Sequence, residues 1–161
     1  MNQKNFTQKS QEAIQAAQML SREYGNPQIE QAHLLYALLD QESGLIPQLV
    51  TSMGPDPASL KAAVKAELQR RVTVVNPQLF TVVTVEHISR DMDRALTRAD
   101  EIAGEMKDEF LSVEHLFLGL IDAADPTLKK LFQTYHITKE AALNSLSQVR
   151  GNQRVTSDNP E

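Results

Sequence analysis

Apolar residues recur at helical spacing along nearly the whole chain and predict eight helices. Thr7 stands where an N-cap is expected; Ala13, Ile14, Ala17, Leu20 and Tyr24 then share one stripe, and Gly25-Asn26-Pro27 breaks the run. From Ile29 to Asp40, Leu34, Leu35, Leu38 and Leu39 make a short helix apolar on much of its girth. Such a helix needs cover on several sides. Gly44 to Met53 predicts a third helix with Pro47 in its first turn, and Asp56-Pro57 opens a fourth as N-cap and first helical residue, reaching Arg70. The stretch RVTVVNPQLFTVV, residues 71–83, is β-branched and interrupted by Pro77. With a single candidate strand and nothing to pair with, it reads as an extended connector. Val85, Ile88, Met92, Ala95, Leu96, Ala99, Ile102, Ala103 and Met106 restore the helical period in what is expected to be the longest helix. Ser112 to Asp122, a segment near Leu128 to Tyr135, and Thr138 to Val149 complete the set. Residues 150–161, nearly free of apolar side chains, read as a tail or linker.

The eight helices are two copies of four. An offset of 82 residues places Ala13 on Ala95, Ile14 on Leu96, Ala17 on Ala99 and Leu20 on Ile102 without a gap. The strongest block sets Ile29, His33, Leu34, Leu38 and Asp40 on Leu111, His115, Leu116, Leu120 and Asp122. A unit of four short helices is too small to hold a good core alone. The expected fold is therefore all-α: one domain over 1–149, built from repeat one (6–70), the connector (71–83) and repeat two (84–149). The copies are expected to pack about a pseudo-twofold axis with a groove where they meet.

Composition narrows the function. The chain of 161 residues has no cysteine, which excludes disulfides, thiolate metal sites and cysteine nucleophiles. Its start, MNQKNFTQKSQ, lacks the apolar run of a signal peptide, and no stretch approaches the length needed to span a bilayer; a cytoplasmic protein is expected. The net charge of −5, with scattered basic residues, argues against nucleic acid or an anionic membrane as partner. That excess is local: residues 100–114 hold Asp100, Glu101, Glu105, Asp108, Glu109 and Glu114 against Lys107 alone. Asp100, Glu101 and Glu105 read as a solvated face. Asp108 and Glu114 flank the turn into a short helix, where a carboxylate meets helix N-terminal amides or receives a cation from a ligand.

No catalytic set emerges. The six glycines are never clustered as in a phosphate loop, and His33, His87, His115 and His136 show no metal-ligand spacing. His33 and His115, equivalent in the repeat, read as half-buried helix residues, with no serine and carboxylate nearby to make either one a general base. Leu96, beside the junction of the copies, is expected to be partly exposed there.

The opening FTQKSQEAIQAAQ, the blocks IEQAHLLYALLDQE and LSVEHLFLGLID, and the terminal RGNQRVTSDNPE make the chain resemble the N-terminal repeat domain of the Clp family of AAA+ unfoldases. The terminal segment is most similar to the linker that leads into the first ATPase module of the ClpB disaggregase branch. The resemblance implies a mobile, non-catalytic domain that recruits unfolded or aggregated polypeptides, and adaptor proteins, for a hexameric threading machine. The isolated domain is expected to be monomeric and free of cofactor, with ATP confined to ATPase modules elsewhere. By motif match, residues tied to substrate handling in ClpB relatives fall on Thr7, Asp108 and Glu114, and Leu96 and His115 would line the groove. One departure matters: relatives that recognise phosphorylated arginine carry Glu before His in both repeats, whereas repeat one here reads Gln31-Ala32-His33 and only repeat two reads Val113-Glu114-His115. That argues against a two-site phosphoarginine receptor. The alternative reading is an adaptor-docking domain of a ClpC- or ClpA-like protease unfoldase.

Overall fold

The computed structural model describes residues 5–71 and 88–150. All of the expected connector except Arg71, and the tail after Arg150, lie outside the described residues. Within them the order is β1 (Asn5–Phe6), α1 (Gln8–Glu23), α2 (Gln31–Asp40), α3 (Leu45–Met53), α4 (Pro57–Gln69), α5 (Arg90–Glu105), β2 (Phe110–Leu111), α6 (Val113–Asp122), α7 (Pro126–Thr134) and α8 (Lys139–Arg150). The fold is all-α. Helix starts follow side-chain capping. Thr7 Oγ1 accepts from Ser10 N–H (3.3 Å), Ser89 Oγ from Met92 N–H (3.0 Å) and Asp125 Oδ1 from Leu128 N–H (2.9 Å).

The repeat offset persists in the backbone. Gly25 (φ 66°) and Lys107 (φ 60°) turn the chain after α1 and α5 in the left-handed region, and Gly54 (φ 121°) and His136 (φ 58°) do so after α3 and α7. The two repeats also pair with each other. β1 runs parallel to β2, and the Thr7 N–H donates to the Leu111 carbonyl at 2.9 Å. At the equivalent place Ile88 bridges Ile29, and the Ser89 N–H donates to the Ile29 carbonyl at 2.9 Å.

Two expectations are corrected here. The fifth helix begins at Arg90 rather than Val85, because Ile88 is spent on the bridge and Ser89 caps; at 16 residues it equals α1 and does not exceed it. Arg150 closes α8 rather than opening a tail.

α2 and α6 lie at the centre, as their apolar girth demanded. Leu34, Leu35, Leu38, Leu116, Phe117 and Leu118 are essentially inaccessible, each worth about 1.5–3 kcal/mol of burial. The Phe117 ring meets Phe132 of α7 edge to face, with centroids 6.4 Å apart. α6 approaches α5 closely at Gly119, where an added Cβ would lie 2.6 Å from the Ala95 carbonyl oxygen. Gln31, fully buried at the start of α2, joins the repeats: its Nε2 donates to the carbonyls of Asp91 (2.7 Å) and Ala123 (2.8 Å), and its Oε1 accepts from Asp125 N–H (2.8 Å).

Candidate functional site

Asp108, Glu114 and His115 meet at the turn between α5 and α6. After Lys107, the Asp108 N–H donates back to the Ala103 carbonyl (2.9 Å), closing the helix end. β2 then leads to Ser112, the N-cap of α6. The Ser112 N–H donates to His115 Nδ1 (2.9 Å), so the ring proton sits on Nε2 and is donated to Asp108 Oδ2 at 2.6 Å. The other carboxylate oxygen of Asp108 accepts from Arg150 Nη2, also at 2.6 Å. Arg150 Nη1 lies 3.6 Å from Glu114 Oε2, and Glu114 Oε1 accepts from the Ser112 hydroxyl. The cluster is internal: Asp108 is 1% exposed, Glu114 3% and His115 0%.

The first repeat builds the same turn with neutral side chains at the places of Asp108 and Glu114. Asn26 stands for Asp108 and Ala32 for Glu114. The Glu30 N–H donates to His33 Nδ1 (2.8 Å), and His33 Nε2 donates to Asn26 Oδ1 (2.8 Å). Burial, reinforced by the Arg71 charge, pushes the His33 imidazole down to about 4. Burial pushes the Glu30 carboxyl up against the opposing pull of Arg71, whose guanidinium lies 3.4 Å away.

Several sequence expectations change. His33 and His115 are fully buried rather than half-buried. A serine and a carboxylate do reach His115, contrary to expectation, and the spacing of Asp108, Ser112 and His115 was visible in the sequence. They make no nucleophile: the backbone N–H of Ser112 occupies Nδ1, its hydroxyl proton goes to Glu114, and Ser112 is inaccessible. Leu96, expected to be partly exposed, is only 7% exposed because it belongs to the continuous apolar core. Thr7 is inaccessible too. It caps α1, and the Ser10 hydroxyl beside it donates to the carbonyls of Thr7 (2.8 Å) and Leu111 (2.9 Å), joining α1 to the strand that precedes Ser112. Four of the five residues thus gather around β2 and the start of α6, and Leu96 stands apart in the core.

The acidic stretch is not one solvated face. Asp100, Asp108 and Glu114 are buried, and the exposed Glu101 and Glu105 carboxylates bind Arg98 at 3.1 and 3.0 Å. Arg98 also holds Asp122 (2.9 Å), which takes a second bond from Lys139 (2.9 Å), so an ion network ties α5 to α6 and α8. Burial raises the Asp122 carboxyl, but the hydrogen bonds from Lys139 and Arg98 outweigh it and hold the group below its usual range.

The Clp repeat (R) N-terminal domain family matches residues 5–135. The chaperone protein ClpB of Nitratidesulfovibrio vulgaris is 36% identical over 97% of the chain, and ClpB of Mycobacterium tuberculosis is 36% identical over all of it. In both cases the match covers 18% of the relative, so the chain spans about a fifth of the length of these proteins. Among solved structures, the N-terminal domain of Hsp104 from Candida albicans superposes with a TM-score of 0.79 at 22% identity, covering 96% of this chain and 97% of that one. The N-terminal domain of the chaperone ClpD from Arabidopsis thaliana gives 0.63 at 18% identity, over 90% and 97%.

Proposed function

The chain belongs to the Clp repeat N-terminal domain family, and from that premise we propose that it is the non-catalytic, substrate-recruiting module of a cytoplasmic, ATP-dependent protein disaggregase. It engages exposed apolar segments of unfolded or aggregated polypeptides in a groove where the two repeats meet, and passes them to a hexameric ATPase ring. The observation that carries this reading is the similarity to ClpB chaperones at 34–36% identity across essentially the whole chain. Apolar burial suits the task, since it gives affinity without sequence specificity. Weak binding per domain is sufficient where several domains act together.

In this reading Thr7, Asp108, Glu114, His115 and Leu96 serve the groove from beneath. Buried side chains shape a surface rather than touch a client, so their substitution alters client binding by moving the α5–α6 turn and the start of α6. The second reading, an adaptor-docking domain of a Clp protease unfoldase, draws on the likeness to ClpD, whose identity of 18% supports the fold alone. A coiled-coil insertion in the first ATPase module of the full-length protein favours the disaggregase; a protease-docking loop in the second favours the alternative.

Titrating the labelled chain with casein, an unfolded model client, tests the proposal by NMR. Amide shifts are expected near Thr7, Leu96 and Glu114. Shifts confined to the opposite face, or none at millimolar casein, overturn it.

A further inference from the structure

We propose that Arg150 is a latch that fixes where, and in which direction, the chain leaves the domain, and that Asp108 and Glu114 are the keeper into which it fits. The two repeats supply an internal comparison. Repeat one closes the equivalent turn with Asn26 on His33 at 2.8 Å and carries Ala32 in place of Glu114, so neither carboxylate is required to build the turn or to orient the histidine. In repeat one Glu30, the N-cap of α2, takes Arg71 at 3.4 Å; in repeat two it is Asp108 and Glu114 that seat the cation. The cation comes from the last residue of α8, 42 positions from Asp108 in sequence.

The rest of that last turn is exposed. α8 is held by Ala142, Ser145 and Leu146, which are buried; Ser147, Gln148 and Val149 face solvent. Val149 is 51% exposed, whereas the Arg150 side chain retains 12%. An arginine at a helix C-terminus also meets the negative end of the helix dipole, so the pairing favours a continuous last turn. Removal of the guanidinium would take from Asp108 its 2.6 Å bond and from Glu114 its cation, both groups being buried, which favours the closed arrangement over a frayed one. The chain continues past Arg150 for eleven residues of the sequence. The position of this last described residue is therefore set by a contact with the α5–α6 turn. The inference rests on this geometry and stands whether or not the domain binds unfolded clients.

The absence of cysteine allows a single spin label to be placed at Val149→Cys, the exposed neighbour of Arg150. With Arg150 in place, the label is expected to broaden amide signals around Lys107 to Leu111. Arg150→Gln, which alters only the last residue of α8, is expected to abolish that selective broadening and to accelerate amide exchange at Ser147 to Arg150 by about tenfold or more, with α2 and α4 unchanged. Asp108→Asn is expected to reproduce both effects. Broadening and exchange in Arg150→Gln equal to those of the unchanged chain overturn the proposal. So does Asp108→Asn that accelerates exchange equally in every helix, because the carboxylate would then be a support of the whole fold rather than a keeper for Arg150.

Discussion

Replacing Gly119 by alanine sets two effects of opposite sign against each other, and the geometry decides between them. Alanine is the better helix former by about 1 kcal/mol, which favours the substitution in the middle of α6. The new methyl, however, would stand 2.6 Å from the Ala95 carbonyl oxygen, 2.9 Å from the Ala99 nitrogen and 3.0 Å from the Ala99 Cβ. Two of these neighbours are backbone and cannot swing aside. A carbon–oxygen contact needs about 3.3 Å or more, so α5 and α6 must separate by about 0.7 Å. Overpacking of this kind costs about 1–3 kcal/mol, and relief by moving whole helices belongs in the upper half of that range. The net expectation is a loss of about 1–2 kcal/mol, or a fall in Tm of about 2–8 °C for a domain of this size. Thermal unfolding followed by circular dichroism, with urea titration for the free energy, measures it. The same movement should disturb the Asp108–His115 bond, since α5 leads into the turn that holds Asp108 and α6 carries His115, and the His115 ring signals report that directly. Ala37 occupies the equivalent place in repeat one, so the α1–α2 packing already accommodates a methyl there. Gly119→Ala as stable as the parent, or more so, would refute the reasoning.

Three further outcomes are expected. His33, held down at about 4 against an ordinary 6.5, binds its proton more weakly in the folded state than in the unfolded one. Its contribution is constant above pH 6.5 and turns destabilising as pH falls towards 4, by about 3 kcal/mol over the interval; urea midpoints at pH 7, 5.5 and 4 should show this slope, and His33→Gln should flatten it. Gln31→Leu strands the Asp125 N–H, whereas the Asp91 carbonyl keeps its place in the α5 ladder and the Ala123 carbonyl its bond from Arg94 (2.9 Å). One orphaned buried donor should cost about 1–3 kcal/mol, read from chemical denaturation. Thr7→Ala and Ser89→Ala each remove a cap and should cost about 1 kcal/mol; equal losses would mark Thr7 as a cap like its counterpart, and casein binding by the stable Thr7→Ala chain would show whether it does more.

What the sequence reveals of this molecule is what lies within a helix turn or repeats at a fixed offset. The stripe residues, the caps at Thr7 and Asp56 and the proline starts are local, and the offset of 82 carries one half onto the other. β1 and β2 escape such reading because each is two residues long and its partner is in the other repeat; no alternation develops in so short a strand. Arg150 escapes for the same reason. A basic residue after a weak apolar pattern looks like a tail, and only the fold brings Asp108 to it. The burial of Asp108 and Glu114 is equally invisible, since a run of acids in a sequence carries no sign of which members meet an arginine. The repeat does carry one sign of it: Asn26 and Asp108 each precede their histidine by seven residues, which marks the pair as one motif in neutral and charged forms.

The crossed pairing of the repeats has a consequence for how this domain is held together. Phe6 lies against Leu111 while Ile88 lies against Ile29, so each half lends its leading residues to the other and receives the same in return. That is the contact rule of a symmetric homodimer, residue i on j and j on i, written into one polypeptide. A free half would present an unmatched edge that only a second copy could satisfy. Covalent fusion replaces the concentration of a second molecule by a fixed local one, so these short crossed pairings, backed by the shared core and the Gln31 bonds, form without a second chain having to be captured.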